Sequence, residues 1–448
     1  MKRRHFLKNT SLFTAGALSA PAILHAQNKG DKIKIAVIGA GGRGAAGMGA
    51  AMNEELVAIA DVDFNRVGKN LDKAKEKFPG MKAYRDYREL FDKHSDLDAV
   101  WVATPDHNHF PASVRALSAG VAVYCEKPLT HELWEARKLA QLAAEKKVAT
   151  QMGNQGHSSE DIRLIVEYIR GGTLGDVQKV HCVSNRSFGA KGERPASKPA
   201  PEGLDWEAWL GPAPFREFHD GLHPFNWRGY LDFGTGSIGD MGCHTIDGAV
   251  WALKLGEADS VEVVAEKGGV NKEGFNGHAR IVYRFPARGD LPPVELTWWN
   301  GGSKDDLPPR PEALEEGRDL LSQGTYYYGS KGVMMSGSHC QGVRLIPESF
   351  QKETGKPEKM IERVPGHTGD FFRAVKDSSA PAPSSNFGYA TKLTEIVLLG
   401  TIALRVGEGA KLSYDLKAGK FTGSNADAAN ALVRREPRKG WEFGYEMA

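Results

Sequence analysis

Cysteine is scarce. The chain of 448 residues has four, Cys125, Cys182, Cys243 and Cys340. None forms a C-x-x-C pair, and no Cys/His set has zinc-ligand spacing, so neither a dithiol redox motif nor a metal site is expected. The four read as buried free thiols. A surplus of one charge is also missing: 58 basic residues stand against 56 acidic ones, a formal +2. Four of those cations crowd into the first eight positions, so the rest has no basic excess with which to hold nucleic acid. Beyond the amino-terminal segment no run promises a bilayer span, and no internal repeat organises the chain. The length leaves room for two domains, each with its own core.

The first residues stand apart. Lys2, Arg3, Arg4 and Lys8 form a basic head with no acid before Asp31, and a weakly apolar stretch occupies residues 9–24. An apolar core of roughly 15 residues suits a signal peptide better than a membrane span. Arg3-Arg4-His5-Phe6-Leu7-Lys8 resembles the twin-arginine export signal, which is read by machinery that passes folded proteins across the bacterial inner membrane. The expectation is a signal peptide over residues 1–27, cut near Ala22 or Ala26, with that machinery as partner, a periplasmic location and no stable membrane anchor.

Residues 33–61 carry the clearest chemistry. An apolar run, residues 33–38, leads into Gly39-Ala40-Gly41-Gly42-Arg43-Gly44, and a second, residues 56–60, ends in Asp61. This is G-x-G-x-x-G between a strand and a helix, with a carboxylate about 20 residues on. Gly39 permits the tight turn, Gly41 lets the backbone approach a pyrophosphate, and Gly44 lets helix and strand pack closely. The helix start, with Gly42 and Arg43, offers unpaired N–H groups to phosphate, and Asp61 accepts from a ribose diol. The expected cofactor is NAD, because Asp61 repels a 2′-phosphate; Arg66 leaves NADP open. An exported enzyme finds no free dinucleotide pool, so its cofactor should be loaded before export and kept.

From residue 32 to 128, strands (33–38, 56–60, 81–84, 99–103, 121–125) alternate with helices (43–52, 65–77, 87–93, 111–118). The strands are apolar on both faces, which predicts a doubly wound parallel sheet, an α/β Rossmann domain over residues 28–153. A helix over 130–146 capped by Thr130, a strand over 148–152 and a helix over 158–169 follow. The grammar then changes to strands at 177–183, 260–265, 279–285, 294–298, 324–328 and 332–335, with helices at 240–253, 367–376 and 389–404. That predicts an α+β substrate domain over residues 154–448, built on a large, mostly antiparallel sheet. Residues 187–236 form a long stretch rich in aromatics. It is either an excursion packed on its own tryptophans or a wall over the cleft, Trp227 included, whose rings stack on sugar C–H faces.

Three segments combine: the glycine turn with Asp61; Glu126-Lys127-Pro128; and Asp240-Met241-Gly242-Cys243-His244, with Asp247 three further on. In this order they resemble the Gfo/Idh/MocA oxidoreductase family, which includes glucose–fructose oxidoreductase and inositol dehydrogenase. Thr104, Pro105 and His109 resemble that family's loop beside the nicotinamide. Trp227 through Gly236 looks like an exported branch, with Gly234-Thr235-Gly236 where a triple glycine is common. The resemblance implies Thr104, Pro105, His109, Glu126 and Lys127 at the cofactor and a homo-oligomer.

Residue chemistry points the same way. Oxidising an alcohol needs a group that handles the hydroxyl proton. Lys127 ends a strand at the cleft, and Asp240 and His244, spaced i, i+4, share a helix face; these three are the candidate catalytic residues. Asn154, His157, Arg186, Trp227, Asp240 and His244 are the candidate substrate contacts. His107 and His109 find no third ligand, so no metal is expected. The expected activity is NAD(P)-dependent hydride transfer to or from a secondary alcohol of a sugar, polyol or derivative. The alternatives are redox-neutral glycoside hydrolysis or elimination through a transient 3-keto sugar, and a non-catalytic sugar sensor.

Overall fold

The computed structural model describes residues 32–190 and 192–447, so the expected signal peptide lies outside the described residues. The first sheet holds β1 (Lys34–Ile38), β2 (Glu55–Ala60), β3 (Lys82–Tyr84), β4 (Ala99–Val102), β5 (Ala122–Cys125) and β6 (Thr150–Met152). Their order is β3-β2-β1-β4-β5-β6, and every pair is parallel. β1, β4 and β5 are buried almost throughout because helices cover both faces. The strand order reverses between β1 and β4, and the loops leaving those two strands open the crevice in which such sheets hold ligands.

The second sheet holds β7 (Val177–Ser184), β8 (Ser260–Val270), β9 (Phe275–Phe285), β10 (Val294–Asn300), β11 (Gln323–Gly329), β12 (Val333–Gly337), β13 (Arg344–Ile346), β14 (Lys411–Asp415) and β15 (Lys420–Thr422). Its order is β13-β12-β11-β7-β10-β9-β8-β14-β15. The pairing is antiparallel except between β7 and β10.

The helix Phe387–Val406 ties the halves together, packing on the helix Leu133–Lys146, on β8 and on the helix Gly236–Thr245. Contrary to the sequence expectation, it is long and apolar enough to cross a membrane. With 83% of its most apolar window buried inside the protein, it serves as the core helix. The chain also crosses back to the first sheet. The helix His367–Lys376 sets Phe371 against Tyr124, ring centroids 5.7 Å apart, and near the carboxyl end Tyr445 packs on Phe110 at 4.8 Å.

Three helices depart from the sequence reading for local reasons. The span 65–77 breaks into Phe64–Val67 and Lys69–Lys77 at Gly68, whose φ of +55° ends the first helix. The helix expected from Thr130 begins at Leu133, because Glu132 and Glu135 form a reciprocal capping box. The helix expected over 240–253 starts earlier and divides into Gly236–Thr245 and Asp247–Ala252, which places Asp240 mid-helix rather than at a cap. All four cysteines are free and buried.

The aromatic excursion has its own small core of Trp209, Leu210, Phe218, Leu222, Trp227, Tyr230 and Phe233. Trp206 stacks on Trp209 at 4.6 Å. It is also laid against the first domain, so it is both packed on its own tryptophans and a wall over the crevice.

Candidate active site

A cavity of about 420 Å³ runs along the switch point. Its floor is the glycine turn after β1. Gly44 must be glycine, since a Cβ there would lie 1.7 Å from the Gly39 carbonyl oxygen. At Gly41 the constraint is the protein itself, because a Cβ would meet Arg66 Cβ at 2.9 Å. Asp61 accepts from the Gly41 N–H at 2.8 Å and from the Asp63 N–H at 2.9 Å, and so holds the turn as well as lining the cavity. Burial raises its carboxyl above the usual value, opposed by those N–H bonds. Arg66 and Arg85 line the same end.

The loop after β4 forms the next wall. The ring nitrogens of His109 face the carbonyls of Pro128 at 2.7 Å and Thr104 at 2.9 Å. Burial lowers its pKa to about 4, and the neutral ring, with a single N–H, donates to one of the two carbonyls and packs against the other. His107 is likewise tied to main-chain carbonyls, those of Trp209 and Phe233. Among the described residues Thr104 Oγ1 is buried with no partner, a hydrogen-bonding group left for a guest. This orphan and the glycine cradle fit a dinucleotide. Gly39, Gly41, Gly42, Arg43, Asp61, Thr104, Pro105, His109, Glu126 and Lys127 all line the cavity; Gly44 packs beneath it. Glu126 faces Arg43 Nε at 3.1 Å, and burial, opposed by Arg43, raises its carboxyl.

At the other end, Lys127 Nζ donates to the Asp240 main-chain oxygen at 2.7 Å and to Asp240 Oδ1 at 2.9 Å. Arg228 Nε reaches the same Oδ1 at 3.1 Å, its guanidinium lying 4.3 Å over the Trp227 ring. Burial works against ionisation of Asp240, but the two cations win and hold its carboxyl well below the usual range. His244, one helical turn on, lies just outside the cavity wall, its ring 3.9 Å from that of His339. Burial, helped by the charges of Lys127 and His339, keeps its pKa well below the usual imidazole value, and among the described residues its Nδ1 has no partner.

The roof is the aromatic excursion. Trp209, His223, Pro224, Phe225, Trp227 and Arg228 line the cavity. His223 Nε2 meets Asp63 Oδ2 at 3.0 Å, the Asp205 N–H donates to the Val62 oxygen at 2.9 Å, and Arg85 donates to the Gly203 oxygen.

With that geometry in view, two family models match. The oxidoreductase-family NAD-binding Rossmann fold covers residues 33–154, and the family's C-terminal alpha/beta domain covers residues 161–290. The chain belongs to the Gfo/Idh/MocA oxidoreductase family. Among relatives in this family, levoglucosan dehydrogenase of Pseudarthrobacter phenanthrenivorans is 24% identical over 365 residues, covering 74% of this chain and 84% of that one. An oxidoreductase of Schizosaccharomyces pombe is 25% identical over 220 residues, 49% of this chain; the chain spans about half of that relative, 51%. The WlbA dehydrogenase of Bordetella pertussis, solved with NADH and UDP-GlcNAcA, shares the fold at a TM-score of 0.55. Its identity is 16%, over 83% of this chain and 95% of that one.

Not every candidate converges on the Gfo/Idh/MocA cleft. Asn154 Nδ2 donates to Asp247 Oδ2 at 2.9 Å, and His157 Nδ1 lies 3.0 Å from Asp247 Oδ1. Tyr389 donates to Asp247 Oδ1 at 2.5 Å, and Ser385 donates to Asn154 at 2.6 Å. These groups bond to one another in the core, and neither Asn154 nor His157 lines the cavity. Arg186 is exposed past the end of β7, with its charge felt by His339.

The sequence reading missed Arg228, Asp106 and His339. Arg228 and Asp106 stood in stretches already singled out. His339 gave no signal: it belongs to no motif, and its left-handed φ of +60° in the turn after β12 is set by tertiary contacts.

Proposed function

We propose that this chain is an NAD(P)-dependent oxidoreductase moving hydride between a retained nicotinamide dinucleotide and a secondary alcohol of a sugar, polyol or sugar derivative. The observation that carries the reading is the Lys127–Asp240 pair, set at the switch point and opening on the same cavity as the glycine turn. When bound, the dinucleotide supplies the hydride acceptor. The glycine turn and the helix behind it cradle its diphosphate, and Asp61 retains lone pairs for its ribose. Lys127 directs two hydrogen bonds to Asp240 and keeps a third N–H for the cavity. Its positive charge, beside Asp240, favours oxygen that is losing its proton. An ammonium has no lone pair, so Lys127 takes that proton only while passing on one of its own. His244, held neutral one helical turn behind Asp240, keeps a lone pair for a substrate that reaches past the cavity wall. The levoglucosan dehydrogenase relative supports a sugar-like substrate.

The sutured roof supports a cofactor that turns over without leaving, which suits the exported location expected from the basic head. Purified protein should carry dinucleotide, and a panel of carbinol-deuterated sugars and polyols should transfer label into it. Absence of transfer from every member would sink the reading. The closed roof also favours a second reading, redox-neutral glycoside cleavage, in which hydride returns to the product. Nitrophenol release from nitrophenyl glycosides without added nucleotide would select it.

A further inference from the structure

Asp106 is a buried carboxylate that the reading above leaves without a task. It is 5% exposed and lines the cavity beside Lys127, Arg228 and Asp240. Thr235 Oγ1 donates to its Oδ2 at 2.7 Å. Among the described residues its Oδ1 makes no hydrogen bond, and that atom is not sealed from the cavity. Thr235 is held in place across Gly239, where a Cβ would lie 1.7 Å from Thr235 Oγ1. The bond therefore joins the loop after β4 to the helix that carries Asp240 and His244. Charged and titratable groups face Asp106 from each surrounding element: Lys127 after β5, Arg228 in the excursion and Asp240 on that helix. The thiols of Cys125 and Cys243 also face it, both pushed up by burial.

We propose that Asp106 is the proton store of the reaction, filled through Lys127. The inference rests on the oxidoreductase reading. The carbinol C–H bond breaks and its hydrogen leaves with both electrons as hydride for the oxidised nicotinamide. Lys127 gives its third N–H proton to Asp106, and as the O–H bond breaks the lone pair so freed takes the hydroxyl proton. A carbonyl remains on the substrate. One negative charge on Asp106 and one positive charge on the ring disappear together, so the enclosed site keeps its net charge. When hydride returns to a second substrate, the proton returns with it.

Asp240 is unsuited to the part, because Lys127 and Arg228 hold it ionised. Asp106 is pushed up to about 6 by burial, against its Thr235 bond and the same two cations. Loss of the ring's positive charge raises its proton affinity further.

The test counts protons. Holoprotein reduced by its sugar in weak buffer near neutrality, with a pH-indicator dye, should release clearly less than one proton per hydride taken up. Asp106→Asn, which keeps an oxygen for Thr235, should release a full one. Full release from the unaltered protein overturns the proposal. If the variant does not fold, the midpoint potential of the bound nicotinamide against pH decides on the unaltered protein alone and needs no sugar. Two protons per two electrons sustain the proposal; one overturns it. Failure of every sugar to reduce the nicotinamide strikes the oxidoreductase reading instead, and the potential measurement still judges Asp106.

Discussion

Asp240 and Asp247 sit seven positions apart on consecutive helices and meet opposite fates. Asp240 pairs with two cations, Lys127 and Arg228, in the lining of the cavity. Asp247, 1% exposed, is surrounded by Asn154, His157 and Tyr389 in the core. The first arrangement leaves donors over for a guest, because Lys127 and Arg228 each have more N–H groups than Asp240 accepts from. The second is closed on itself. A carboxylate near a cleft is thus machinery or scaffold according to what its partners have left to offer.

That contrast can be broken by exchange of phenotypes. Asp240→Asn should lower turnover about 100- to 10,000-fold while the folded protein keeps its dinucleotide, with some loss of stability because two cations lose their counter-charge, as read by steady-state kinetics, nucleotide absorbance and urea unfolding. Asp247→Ala should spare turnover. It orphans three buried polar groups and should cost about 3 kcal/mol in urea unfolding, with the folded fraction keeping its turnover. A catalytic collapse in Asp247→Ala without loss of stability would erase the distinction.

Smaller effects sharpen it. His109 and His367 are both lowered to about 4 from 6.5 by burial. The unfolded chain binds protons there before the folded one does, so stability falls as pH drops from 6.5 towards 4, by up to about 1.4 kcal/mol per pH unit for each ring. Below 4 these two contribute no further slope. Urea midpoints measured across that interval check the sign, and His109→Gln should flatten the curve. At the roof, His223→Ala removes the contact with Asp63 and should cost about 1 kcal/mol, speeding dinucleotide release about 5-fold in a trapping assay. An unchanged release rate would mean that the roof does not hold the cofactor.

Much of the first domain was legible because its rules are local. Apolar runs at residues 33–38 and 99–103 mark two-sided burial, and Gly39 through Gly44 with Asp61 answer constraints set within one βαβ unit. The Asp240–His244 spacing was legible as a shared helix face. What could not be read was which way a polar residue faces once helices pack. Asn154 and His157 follow a strand end as Lys127 does, yet they turn to Asp247 in the core. Gly68 and the Glu132 capping box moved helix boundaries by contacts a periodicity does not register.

The amino-acid order alone determined the two-domain layout, the dinucleotide turn and the lysine at the end of β5, since each depends on neighbours a few positions apart. Only the tertiary structure decided that Asp106, held by the distant Thr235, shares one cavity with Lys127 and Arg228 under a roof tied to Asp63. It decided this because long-range burial and charge pairing, rather than any local pattern, set which polar groups face the crevice and which close on one another in the core.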